Sequence, residues 1–89
     1  MQTLNITAHA GDGLVNLGSM LPGSTITLTP AGASTARIVT KNDPSETGVI
    51  WPDGTVSAVT TRTIEFGSLY VYVECLTGSA AVTGSILKG

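Results

Sequence analysis

The stretch Ser68-Leu69-Tyr70-Val71-Tyr72-Val73-Glu74-Cys75-Leu76 constrains this chain more than any other. Its valines and tyrosines suit a strand. Successive strand side chains point to opposite faces, so Leu69, Val71, Val73 and Cys75 form one side, and Tyr70, Tyr72, Glu74 and Leu76 the other. A strand in a single antiparallel sheet keeps one face for water. Here both parities are largely apolar. One side must pack on a second sheet, and the other needs cover from elsewhere.

The rest of the chain has the same period of two. Residues 2–8 alternate Leu4, Ile6 and Ala8 with Thr3, Asn5 and Thr7, and residues 24–29 set Ile26 and Leu28 against serine and threonine before Pro30-Ala31-Gly32 ends the run. Residues 35–40 follow, then the polar segment 41–46. Segments 48–51 and 55–59 flank Pro52-Asp53-Gly54, which reads as a hairpin turn because Pro presets its backbone angle and Gly supplies a positive one. Residues 60–66, the long apolar strand, a turn at Thr77-Gly78-Ser79 and residues 80–87 complete the pattern. No segment shows apolar residues at helical spacing behind a cap. About seven short strands predict an all-β fold, a small antiparallel sandwich or barrel with no significant helix.

Residues 9–23 fit neither period. They read as a long loop or irregular first strand, or as an arm whose Leu14, Leu17, Met20 and Leu21 pack on a neighbouring subunit. The chain is taken as one β domain over residues 1–89, with 1–23 the irregular or anchoring part.

Size and composition point outward. A chain of 89 residues buries only roughly 60 to 65% of the surface its unfolded form exposes, so a domain this small needs a staple. Cys75 is the only cysteine and cannot pair within the chain. His9 is the only histidine, which leaves no cluster of soft metal ligands. Self-association, or docking on something larger, remains. Four basic and six acidic side chains give a net charge of −2, with 11% of residues charged. Arg37, Lys41, Arg62 and Lys88 are too few to make a basic face, so nucleic acid is not expected as a partner. No apolar run approaches a membrane span, and no basic-then-apolar leader opens the chain. Neither a membrane nor secretion through a cleaved signal is expected.

Chemistry is sparse. His9, Asp12 and Ser19 contain the residue types of a base, an orienter and a nucleophile, but nothing local fixes their geometry. Ala10–Gly18 resembles a phosphate loop only in its glycines and lacks the helix that would follow. Asp43, Glu46 and Asp53 could offer oxygen ligands to calcium if their loops met. Solvated turn acids are the simpler reading. Cys75 lies on the apolar parity, where a thiol behaves as a small hydrophobe. The expectation is therefore no catalytic residue, no cofactor and no metal. Phe66 is expected in the core. Trp51, Tyr70 and Tyr72 are expected at an interface, because such rings offer large contact area at low entropic cost.

Residues 36–39 (ARIV), 48–56 (GVIWPDGTV), 66–73 (FGSLYVYV) and 76–87 (LTGSAAVTGSIL) together resemble small β-rich modules on the heads of tailed bacteriophages and gene transfer agents. The shared pattern is a strand, an Asp-Gly hairpin, a Gly-Ser/Thr-Leu turn, a long apolar strand and a final Thr-Gly hairpin. It covers about residues 35–88. Where such modules often place a proline soon after the Gly-Ser/Thr-Leu step, this chain has Tyr70-Val71-Tyr72. The resemblance implies a structural virion protein at the capsid surface, made in the host cytoplasm. It would decorate the shell, or form the base of a head spike or fibre. Its partners would be the major capsid protein or a head spike or fibre protein, with self-association as a trimer or pentamer. The interface would use Tyr70, Tyr72, Leu76 and Trp51, with Leu14, Leu17, Met20 and Leu21. A glycan- or receptor-binding module, using Trp51 and residues 41–46, is the alternative.

Overall fold

The computed structural model describes residues 2–41, 43, 45–51, 54–65 and 68–87, with Ser68 and Leu69 described by their backbone. The expectations for Pro52, Asp53, Phe66, Gly67, Lys88 and the side chain of Leu69 lie outside these residues.

The described residues form eight strands: β1 (Gln2–His9), β2 (Leu14–Met20), β3 (Thr25–Pro30), β4 (Thr35–Lys41), β5 (Val49–Ile50), β6 (Thr60–Thr63), β7 (Ser68–Thr77) and β8 (Ser79–Ile86). They build two four-stranded sheets, ordered β1-β8-β3-β6 and β2-β7-β4-β5. All strand pairings are antiparallel. The small antiparallel sandwich read from the alternation is the fold. Every connection except β4 to β5 passes from one sheet to the other, and this strand order is that of a jelly roll.

The core lies between the sheets. Leu4, Ala8, Ile26, Leu28, Ala80, Val82 and Ile86 enter it from the first sheet, and Leu17, Met20, Ala36, Ile38, Val71, Val73 and Cys75 from the second. Burying one large aliphatic side chain contributes about 1.5–3 kcal/mol.

Residues 14–20 form a strand, and a bulge explains why no simple period marks it. Pairing with β7 shifts at Asn16–Gly18 and again before Met20. Gly18 has φ +95°, and the Asn16 side-chain oxygen accepts its N–H at 2.8 Å. One extra residue on the bulged strand flips the parity that follows. Val15 and Leu17 face inward, and so does Met20.

The two segments flanking Gly54 do not form a hairpin with each other. Trp51 N–H does donate to Ile38 O at 3.1 Å, and Val56 exchanges both main-chain bonds with Ala36 at 2.8 and 3.1 Å. Both segments therefore lie along β4. The turn itself is closed by Gly54 N–H on Trp51 O at 2.8 Å.

Thr77-Gly78-Ser79 is likewise a corner between sheets, since β7 and β8 belong to different ones. Gly78 has φ +70°, and a Cβ there would lie 2.0 Å from Ser34 Oγ. Ser34 Oγ accepts from Ser79 N–H at 2.9 Å and donates to Ala31 O. Ser24 does the same service at the far end of β8, where its Oγ accepts from Leu87 N–H at 2.9 Å.

Candidate functional site

The outer face of the β2-β7-β4-β5 sheet collects four of the eight interface candidates, Leu14, Tyr70, Tyr72 and Leu76. Register sets its rows: Asn16, Tyr72, Val39 and Ile50 lie abreast, with Leu14, Glu74 and Arg37 on one side and Tyr70 with Lys41 on the other. Leu76 continues the outward parity of β7. Leu14, Leu76 and Ile50 are 38, 40 and 46% exposed. Tyr70 and Tyr72 are half-buried.

Part of the cover for this second face comes from the chain's few cations. Lys41 places its Nζ 5.2 Å from the centroid of the Tyr72 ring, within the reach of a cation–π contact. Arg37 bonds Glu74 through Nε at 2.7 Å and Nη2 at 2.5 Å, so the single carboxylate of the face is paired. Val39, although on the outer side, is buried. A Cβ on Gly48 would lie 2.6 Å from its Cγ1, because the segment leading into β5 folds over it. What stays open is a band of apolar groups around two half-covered rings.

The remaining interface candidates divide. Leu17 and Met20 are buried between the sheets and are not available to another chain. Leu21 is 40% exposed, but it lies beyond the far end of β2 from Leu14. Trp51 packs against the core and lines a cavity of about 20 Å³ with Ile26, Leu28, Ile38, Val56, Thr60 and Arg62. Its Nε1–H is buried and has no acceptor among the described residues. The cavity has room for a single water and none for a sugar ring.

The chemical candidates are separated or already engaged. His9 Nδ1 lies 3.6 Å from Asp12 Oδ2, and the same oxygen accepts His9 N–H at 2.9 Å. Ser19 is five residues along β2 from Leu14, about 16 Å away at strand rise, so these three do not form a triad. A strand, not a helix, follows Gly13, and Gly18 lies inside it. Asp43 Oδ1 accepts the N–H and hydroxyl of Ser45 at 2.9 and 2.7 Å, which holds its carboxyl below the usual range. Glu46 caps Asp43 N–H at 2.8 Å. Among the described residues no three acidic, His or Cys side chains gather as metal ligands. Burial, with a smaller contribution from Asp12, pushes the Cys75 thiol up. Its Sγ lies 3.4 Å from Thr77 O and 3.6 Å from Thr35 O, so it is a protonated core residue at neutral pH.

One feature had no sequence signal of its own. The outer face of the first sheet is lined by uncharged polar side chains: Thr3, Asn5 and Thr7 on β1, Thr83 and Ser85 on β8, Thr25 and Thr27 on β3, Thr61 and Thr63 on β6. Each run shows only an ordinary polar parity. Together they make the counterpart of the apolar second sheet.

No family model, curated protein or solved structure matches this chain.

Proposed function

We propose that this chain is a structural subunit of a tailed-phage particle, decorating the capsid or forming the base of a head spike or fibre by symmetric association. The observation that supports it is the outer face of the β2-β7-β4-β5 sheet. Leu14, Leu76 and Ile50 stand exposed on the face that carries Tyr70 and Tyr72, and the charges of that face are engaged within it, Arg37 with Glu74 and Lys41 over the Tyr72 ring. Aromatic anchors are enriched at interface centres, and charges already paired on the face leave its exposed aliphatic groups to make the contact. Each contact can be weak, because copies held on one platform raise one another's effective concentration. The resemblance of residues 35–88 to phage head modules supplies the setting.

The glycan-binding alternative has less behind it, since Trp51 is turned into the core and the carboxylates of Asp43 and Glu46 serve their own turn. Sedimentation over a dilution series tests the leading reading. Tyr72→Ala is expected to weaken association by about 2 kcal/mol per contact, roughly thirtyfold, while far-UV circular dichroism stays that of the parent. A Tyr72→Ala chain that associates as the parent does would remove it.

A further inference from the structure

The four sheet edges differ in how well they are guarded. β5 is two residues long, β6 is four, and β2 is bent by its bulge. Short and bulged edges are the usual defences against pairing with another chain. β1 has neither. Its eight residues run along β8 without a register shift and contain no proline, lysine, arginine, aspartate or glutamate.

The open main-chain groups of β1 follow from its last rungs. Ala10 N–H donates to Gly78 O at 2.8 Å, in line with the Ala8↔Ala80 rung. Main-chain groups alternate sides along a strand, so even-numbered residues face β8 and odd-numbered residues face away. His9 agrees: its N–H goes to the Asp12 carboxylate, and its C=O accepts Asp12 N–H at 3.1 Å. Asp12 closes that end of the edge. The N–H and C=O groups of Thr3, Asn5 and Thr7 remain outward, and all three side chains are exposed. No strand of the described residues pairs on that side.

We propose that this edge is a self-association site, at which β1 pairs antiparallel with β1 of a second copy about a two-fold axis through Asn5. The two four-stranded sheets then become one continuous sheet. In this register Asn5 faces Asn5 of the other copy, and Thr3 faces Thr7. Every outward N–H of both copies meets an outward C=O. On the hydroxyl-lined face the opposed threonines are a favourable cross-strand pair. On the core side Leu4 falls opposite Ile6, and Ile6, half-buried at the rim, gains cover. A slip by one residue would turn closed groups toward open ones and set apolar against polar side chains.

A second copy is the occupant because the strand is symmetric about Asn5: Leu4 and Ile6 are both aliphatic, and Thr3 and Thr7 are identical. An isologous contact needs that self-complementarity, and a foreign strand does not. The contact lies on the other sheet from Tyr72 and stands independently of the function proposed above.

Three variants test it by sedimentation equilibrium of the full chain, in the parent and in a Tyr72→Ala background. Asn5→Pro removes an outward N–H and leaves the ladder to β8 intact, as proline on an edge strand can. Asn5→Lys and Asn5→Asp each place like charges directly opposite across the axis. Each variant is expected to weaken the β1 dimer about tenfold or more, from two lost hydrogen bonds or from repulsion. An equimolar mixture of Asn5→Lys and Asn5→Asp is expected to restore it. Dimer formation by both charge variants at parental strength would overturn the proposal, as would a mixture no stronger than its components. If Asn5→Pro unfolds, the charge pair decides alone. Charge rescue that persists with Tyr72→Ala supports the edge contact whatever becomes of the outer-face reading.

Discussion

Ser24 and Ser34 are small polar residues buried at opposite ends of β8. Each hydroxyl accepts a main-chain N–H, that of Ser79 at the start of the strand or that of Leu87 just past its end. A buried donor left unmade costs about 1–3 kcal/mol. Ser34→Ala should therefore lower the unfolding free energy by that order, seen as a lower urea midpoint, because Ser79 N–H loses its acceptor. An unchanged midpoint would show that water replaces the hydroxyl. Neither serine was legible in the sequence, where each is one more polar residue beside a glycine turn. Their role depends on Leu87 and Ser79, residues far along the chain.

Among the elements, β7 matched its sequence pattern closely. Its Val71, Val73 and Cys75 parity is buried, while Tyr70, Tyr72 and Leu76 face outward. β2 did not, and its bulge is the reason. Gly18 holds φ +95°, a region costing an L residue about 1–3 kcal/mol. Gly18→Ala should destabilise the protomer by that amount, read from thermal or urea unfolding, because Leu17 and Met20 reach the core only through this bulge. A variant as stable as the parent would mean the strand can pair with β7 without it. β5 and the segment around Val56 failed differently. The proline-glycine turn between them is a real local signal, yet both segments bond to β4. Turn chemistry closes the chain on itself and leaves the choice of ladder partner open.

At the scale of the molecule, β1 pairs with β8, and six of the seven connections cross between sheets. Such non-local pairing is slow to form. Refolding should take milliseconds to seconds, followed by stopped-flow fluorescence of Trp51, the only tryptophan, which packs on the core. Microsecond refolding would contradict this order of strands. The two sheets also divide the surface, hydroxyl-lined on the first, and on the second mixing exposed aliphatic groups with Tyr70, Tyr72 and their paired charges.

By itself the sequence determined that the fold is all-β, and which residues of β1, β3 and β7 face inward, because alternation is a property of neighbours. The tertiary structure alone decided which strands lie side by side, that Lys41 and Arg37 help cover the second face of β7, and that β1 is left as a bare edge. Loop closure costs little more for a long loop than for a short one. Chain distance therefore says almost nothing about partners, and only packing between distant strands selects them.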